Sequence, residues 1–342
     1  MKVLRLHAPN DLRIHDEPIP KPGPGEALVR VGSVGVCASD VHWWRDGKIG
    51  SISLTDPLVL GHEGAGTIEA LGEEVTNISK GQKVAIEPSR PCMKCEFCLS
   101  GNFNVCPSVR FFGTPPTDGC FREYVVWPVS LLIPIPDSVS LDEAAMTEPL
   151  AVGIHAANLA AIKPGETAAI LGAGAIGLSI LQPLKLAGVG KVLVTDPITA
   201  RRDLAAKLGA DVTCEPSKAH STADEITGGR GFDIVFECAG DVEAVRDASK
   251  LARILGRVVI VGIPREDEYP FDAGTARRKQ LNAIFVRRSN STTERAIELV
   301  DIRKIDVLSY VTHTFPLEQA GKALALAESK ADGVLRAIVR VS

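Results

Sequence analysis

Short apolar runs separated by proline and glycine dominate the first 150 residues. Residues 27–31, 66–71 and 84–86 are of strand length, and Pro20-Lys-Pro-Gly-Pro-Gly25 is typical of the punctuation between them. No long amphipathic helix is expected among these runs. At 140–161 the character changes to Ala-rich helical periodicity, through Glu143-Ala-Ala-Met146 and 151–161. From Glu166 onward, apolar runs at 168–171, 192–195, 234–237 and 258–261 alternate with helical stretches at 176–186, 200–208 and 244–255. Such alternation predicts βαβ units, and so a doubly wound parallel sheet with helices on both faces. Helices are expected at 293–300 and 317–328 and a strand at 336–341, a tail that can return to the first domain.

Composition narrows the picture. A chain of 342 residues fits roughly two domains at about 150 residues each. With 45% apolar and 23% charged residues it is an ordinary globular sequence, and a net charge of −4 excludes a globally basic nucleic-acid binder. The first residues lack an apolar stretch followed by a cleavage site, so no signal peptide is expected. The longest uncharged run, 167–184, contains glycines and Pro183 and reads as strand, turn and buried helix rather than a membrane span. A cytoplasmic protein is expected, without membrane or nucleic-acid partners. In a reducing compartment the eight cysteines point to metal ligands or isolated buried thiols, not disulfides.

Gly172-Ala-Gly174-Ala-Ile-Gly177 follows one predicted strand and opens a helix. In that setting Gly172 permits the tight turn, Gly174 the approach of a pyrophosphate, and Gly177 close helix–strand packing. The pyrophosphate would rest on unpaired N–H groups at the helix start, around Ala175 and Ile176. Asp196 ends the next strand, 19 residues past Gly177, where a carboxylate accepts hydrogen bonds from the adenosine ribose and repels a 2′-phosphate. NAD is therefore favoured over NADP, with Arg201 and Arg202 nearby slightly weakening the preference.

Cys92, Cys95, Cys98 and Cys106 follow the pattern C-x2-C-x2-C-x7-C. Four thiolates on one short loop can close a tetrahedron around Zn²⁺ with no open position, as in a structural site. An iron–sulfur cluster is the nearest competitor, since Pro107 follows Cys106, but the last gap is longer than in the bacterial run. A second set lies on separate segments: Cys37, His62 with Glu63, and Glu148. Thiolate, imidazole and carboxylate would balance Zn²⁺ and leave one position for water or substrate. Spacing alone does not separate that reading from a buried thiol and a surface His–Glu pair. Cys120, Cys214 and Cys238 have no ligand spacing and read as structural.

Together these elements resemble the zinc-dependent medium-chain dehydrogenase/reductase family, in particular its polyol (sorbitol-type) branch. The resemblance runs along the whole chain through Gly35-Val-Cys-Ala-Ser-Asp-Val-His42, Gly61-His-Glu63, the four-cysteine loop, Phe111-Phe-Gly-Thr-Pro-Pro116, Thr147-Glu-Pro-Leu150, Gly172–Gly177 and Val311-Thr-His-Thr-Phe-Pro-Leu317. It implies a GroES-like β-rich catalytic domain at 1–150 with both zinc sites, a Rossmann domain at 151–286, and a C-terminal segment at 287–342 that returns to the catalytic domain. It also implies that Cys37, His62 and either Glu63 or Glu148 hold the catalytic zinc. Ser39 would receive the substrate's proton and His42 pass it on through the cofactor ribose. Trp43, Phe112, Thr114, Glu148 and Arg287 would line the substrate pocket, although Trp43 replaces a familiar tyrosine and Arg288 an aromatic residue. The implied reaction is reversible NAD-linked oxidation of a secondary hydroxyl of a sugar alcohol resembling sorbitol, xylitol or galactitol. Threonine, butanediol or a simple secondary alcohol is the alternative substrate, and a homo-oligomer, dimer or tetramer, is the expected assembly.

Overall fold

The computed structural model describes residues 1–341, and its chain divides into two compact units. One comprises Met1–Glu148 together with the chain from Thr293 onward; the other is Pro149–Thr292.

The first unit is built on the strand Glu26–Gly35, whose residues are nearly all buried. It pairs antiparallel with Glu63–Leu71, with Tyr124–Pro128 and with Arg336–Arg340 near the end of the chain. Lys83–Ile86, Leu132–Pro134 and Val311–Pro316 complete a seven-stranded sheet. Val29, Val31, Val34, Ile68, Val84, Phe121 and Val339 pack in its core. Burial of these β-branched and aromatic side chains, at about 25 cal/mol per Å² of apolar surface, is what holds so irregular a chain together.

One element departs from the sequence pattern. Ala38–Asp46 is a short α-helix among the strand-length runs. Its nine residues are too few for a helical period to stand out, and its signal lies in the cap: the Cys37 sulfur faces the N3 backbone N–H, and Asp40 Oδ2 accepts from Cys37 N–H at 3.0 Å. Gly47 ends the helix in the left-handed conformation, φ 65°.

In the second unit six parallel strands run in the order Val212–Cys214, Lys191–Thr195, Thr167–Leu171, Phe232–Glu237, Ala252–Ile260, Asn282–Phe285. The sheet is doubly wound, as the alternation predicted, and its connections reverse direction beside Thr167–Leu171. At such a switch point ligands bind beyond the carboxyl ends of the strands. The predicted helix 244–255 is shorter than expected: it spans Val242–Leu251, and Ala252 already begins a strand. The cause is a bulge. Phe232 faces Ala252 whereas Ile234 faces Arg257, so the intervening residues loop out, with Leu255 at φ 59°. The expected helix 317–328 likewise opens as a 3₁₀ turn, Leu317–Gln319, before Ala320–Ser329. Among the described residues no helix is long and apolar enough to cross a membrane.

Asp233 ties the sheet's other end together. It accepts hydrogen bonds from Thr167 N–H at 2.9 Å, Arg230 Nη2 at 2.7 Å and Arg253 Nε at 2.6 Å. Burial pushes its pKa up, but Arg230, the Thr167 N–H and Arg253 outweigh that and hold the carboxyl well below the ordinary range. Because the folded value is depressed, the stabilisation is complete above the unfolded pKa of about 3.9 and is lost as pH falls below it. Asp233→Asn is expected to cost about 2–4 kcal/mol at pH 7. Urea unfolding at pH 7 and at lower pH checks this, since the gap from the parent protein should narrow below about pH 4.

Candidate active site and metal centres

The four-cysteine loop is closed at its base by Ser89–Arg90 pairing antiparallel with Arg110–Phe111. Inside it, Cys95 caps the short helix Glu96–Leu99 and receives the Cys98 N–H at 3.5 Å, while Cys106 Sγ receives the Cys92 N–H at 3.4 Å. These backbone bonds turn all four sulfurs inward, to within 4.8 Å of one another. Cys92 and Cys98 are 4.0 Å apart and Cys95 and Cys106 3.9 Å. A tetrahedron of sulfurs about 2.3 Å from a central ion has edges of about 3.8 Å, so one Zn²⁺ fits. Sulfurs this close leave no room for the iron and sulfide of a cluster, and they are far beyond the disulfide length of about 2.05 Å. The backbone N–H of Lys94 brings the Cys92 thiol down to about 6, whereas burial pushes Cys98 up to about 12.

A second cluster forms where two strands meet. Gly35 pairs with Glu63 in the antiparallel register, which sets Cys37, just past the end of one strand, beside His62 at the start of the other. A Cβ on Gly35 would lie 2.1 Å from Glu63 Oε2, so only glycine lets the glutamate fold across its partner strand. The ligand atoms of Cys37, His62 and Glu63 converge within 4.8 Å. Asp40 is fully buried behind them; its Oδ1 accepts from Gly61 N–H at 2.9 Å and lies 3.6 Å from His62 Nδ1. Glu63 Oε1 pairs with the buried guanidinium of Arg336, brought by the returning strand. Glu63 Oε2 is buried without a hydrogen-bond partner, the condition of a carboxylate oxygen that a cation satisfies.

Electrostatics agree with that reading. Burial raises the pKa of the Cys37 thiol, yet His62 and Arg336 overcome it and bring it down to about 6. Burial lowers that of His62, but Asp40 and Cys37 lift it well above the ordinary value. A thiolate is thus ready-made, and a metal would displace the imidazole proton. Glu148 is buried and feels the charges of His62 and Cys37, but it stands outside the converging trio. Burial pushes its pKa up to about 8.

In the other unit, Gly172 sits at φ 105°, and a Cβ there would lie 2.9 Å from Ala239 N. Gly177 abuts Gly172 O, where a Cβ would come within 2.0 Å. Gly174 is different. It caps the helix Ala175–Leu186 with no side-chain bond, and a Cβ on it would meet nothing within 4 Å, leaving the helix N-terminus open to an anion. Asp196 is 4% exposed, and its two oxygens accept from Ala173 N–H and Ile198 N–H, each at 2.9 Å. Arg201 Nη1 lies 4.0 Å from it.

Comparison with known proteins adds the family. Residues 23–137 match the alcohol dehydrogenase GroES-like domain and 175–301 the zinc-binding dehydrogenase domain. The chain is 36% identical to sorbitol dehydrogenase of Bacillus subtilis, over 95% of this chain and 92% of that protein. The chain belongs to the zinc-binding dehydrogenases. Its structure resembles L-idonate 5-dehydrogenase from Escherichia coli, at a TM-score of 0.93 and 28% identity, covering 99% and 98% of the two chains. It also resembles an alcohol dehydrogenase from Escherichia coli CFT073 solved with NADH, at a TM-score of 0.91 and 29% identity over 100% and 99%. Membership of that family makes zinc the metal expected by both clusters of ligands.

Other expected site residues fall in different places. Ser39 and His42 lie three apart on the helix Ala38–Asp46, both half-buried and so on neighbouring positions of one face. Trp43, expected in the substrate pocket, is 2% exposed and packs in the core, because one residue along a helix turns the side chain by about 100°. Phe112 is also a core residue, its ring 4.0 Å from that of Trp127. The aromatic ring beside the cluster is Phe111, 5.1 Å from His62. Thr114 is half-buried in a turn closed by Thr117 N–H, and Arg287 is exposed in the second unit. Asp40, Phe111 and Arg336 were missed. The capping pattern Cys37-x-x-Asp40 signals the first of these; nothing local signals Arg336.

Replacing Cys98 by Ser should lower the zinc content of the purified enzyme by one equivalent and leave the other, as read by elemental analysis. Asp40→Ala is expected to weaken metal retention at the second centre by about 10–100-fold in chelator competition, because His62 loses the carboxylate that orients it.

Proposed function

We propose that this dehydrogenase reversibly oxidises a secondary hydroxyl of a sugar alcohol to a ketone with NAD⁺. Cys37, His62 and Glu63 would hold the catalytic zinc, and Cys92, Cys95, Cys98 and Cys106 the structural one. The Lewis acidity of an ion at the first trio lowers the pKa of a hydroxyl, as it lowers that of water from ~15.7 toward ~7. Hydride chemistry is the nicotinamide's; Gly172, Gly174, Ala175, Ile176, Gly177, Asp196 and Arg201 would hold that cofactor.

The protein's own task is to move one proton and to choose the substrate. Ser39 Oγ takes the proton of the reacting hydroxyl, and His42, on the same helix face, carries it on. Histidine is the side chain suited to proton exchange around neutrality.

The observation that carries the polyol reading is Glu148, a buried carboxyl beside the trio but not part of it. Such a group can exchange hydrogen bonds with a hydroxyl next to the reacting one. A simple alcohol would leave it unpaired, so the site favours substrates with neighbouring hydroxyls. Similarity to sorbitol dehydrogenase and to L-idonate 5-dehydrogenase supports the same class. A cytoplasmic homo-oligomer is the form we propose for it.

NAD⁺ reduction measured over xylitol, sorbitol, galactitol, threonine, 2,3-butanediol and 2-propanol tests the reading. Polyols should exceed the simple alcohol in kcat/KM by at least about 10-fold, and Glu148→Ala should erase most of that margin. Preference for threonine or butanediol would replace the polyol reading. Ser39→Ala should lower kcat by about 10²–10⁴-fold with NADH binding, followed by tryptophan quenching, nearly unchanged.

A further inference from the structure

His42 does not stand alone on its helix. Arg45 Nη2 lies 3.3 Å from His42 Nδ1, and Asp46 Oδ2 lies 3.8 Å from the same nitrogen, within ion-pair reach but beyond a hydrogen bond. The two neighbours are themselves joined, Arg45 Nε donating to both carboxylate oxygens of Asp46 at 3.0 Å. Glu328, on the helix Ala320–Ser329 that packs against this one, comes within 3.6 Å of Arg45 Nη1 and anchors the guanidinium from the other side. Lys48, on the strand that follows, is exposed. His42, Arg45 and Asp46 are each only about one-fifth exposed, so their charges act on one another with limited screening.

A guanidinium only donates, so the nitrogen it faces must be an acceptor. Arg45 therefore selects the neutral ring whose proton sits on Nε2. Once the ring is protonated, Nδ1 carries a hydrogen and can no longer face Arg45. Asp46 is then an acceptor at hand, a few tenths of an ångström beyond bonding distance. One nitrogen thus has two rival partners, each suited to one protonation state. We infer that Arg45 and Asp46 are positioning residues for proton transfer, which together decide which nitrogen of His42 holds the proton and how tightly. This rests on the reading that His42 is the relay.

The signs are opposite. Loss of Arg45 removes a charge that disfavours the imidazolium and frees Asp46 to accept from Nδ1, so His42 holds its proton to higher pH. Loss of Asp46 leaves Arg45 unopposed and moves the titration to lower pH. A residue that merely supported the helix would shift neither, or both in one sense.

The experiment uses full-length zinc-loaded enzyme labelled with [¹⁵N]histidine, in which the His42 signals are assigned by their loss in His42→Gln. In the parent enzyme the neutral ring should carry its proton on Nε2. Arg45→Gln should raise the titration midpoint of His42 by about 0.5–1 pH unit and Asp46→Asn lower it by a similar amount. Arg45→Lys, which keeps the charge, should fold as the parent does and hold the midpoint near its original position. A neutral ring protonated on Nδ1, or midpoints that stay fixed or move together in Arg45→Gln and Asp46→Asn, would overturn the inference. A second readout separates it from the relay. Oxidation needs the unprotonated ring, so the acid limb of kcat, with xylitol and NAD⁺, should move up in pH for Arg45→Gln and down for Asp46→Asn. Midpoints that move as expected while the acid limb stays still would uphold the role of Arg45 and Asp46 and discard His42 as the relay.

Discussion

Buried charge is the constraint on which the first unit depends. Cys37, Asp40 and Glu63 bring three anionic groups to one dry point, and Arg336 supplies a single compensating guanidinium. With His62 neutral, as a metal ligand must be, two negative charges would stand uncompensated there, at a cost of several kcal/mol each. A divalent cation balances them, and this explains why Glu63 keeps one oxygen without a hydrogen-bond partner and why Asp40 is turned toward His62 rather than toward solvent. The fold is shaped by the same demand. Pairing of Arg336–Arg340 with the central strand delivers the guanidinium, and the glycine at position 35 clears space for the glutamate.

The second unit solves a different problem with the same economy of parts. Its central strands are covered on both faces, so they read as continuous apolar runs, and the polar groups are held at the strand ends. At one end the Gly172–Gly177 turn leaves helix N–H groups free for an anion, with Asp196 braced by two backbone donors beside it. At the other end Asp233 gathers Thr167, Arg230 and Arg253, which locks two neighbouring strands and pins the bulge that follows Ala252. Stability and ligand capture are thereby kept apart within one sheet.

Much of the chemistry was legible because it sits in short contiguous segments. Four cysteines within one loop, or three glycines between a strand and a helix, need no tertiary information to suggest what they bind. His62 and Glu63 were legible as ligand types but not as partners of Cys37, since only the register of two strands brings them together. The burial of Trp43 and Phe112 in the core was not legible for a related reason. Resemblance transfers a residue's position along the chain, while the direction of a side chain depends on helix phase and on the neighbouring ring, so Phe111 rather than Phe112 faces His62. The helix at 244–255 ran four residues too far because a bulge depends on its partner strand.

The four central strands of the second unit and three of its helices, the four-cysteine loop, the Gly172–Gly177 turn and the donor types of the other cluster were determined by the sequence alone, because local propensity and spacing act over a few residues. The tertiary structure decided which carboxylate converges with Cys37 and His62, which guanidinium balances it, and which charged neighbours surround His42. Those choices bring together groups far apart along the chain, such as Glu63 with Arg336 and Arg45 with Glu328. Strand register and helix packing create that proximity, and a pattern read along the chain holds no record of it.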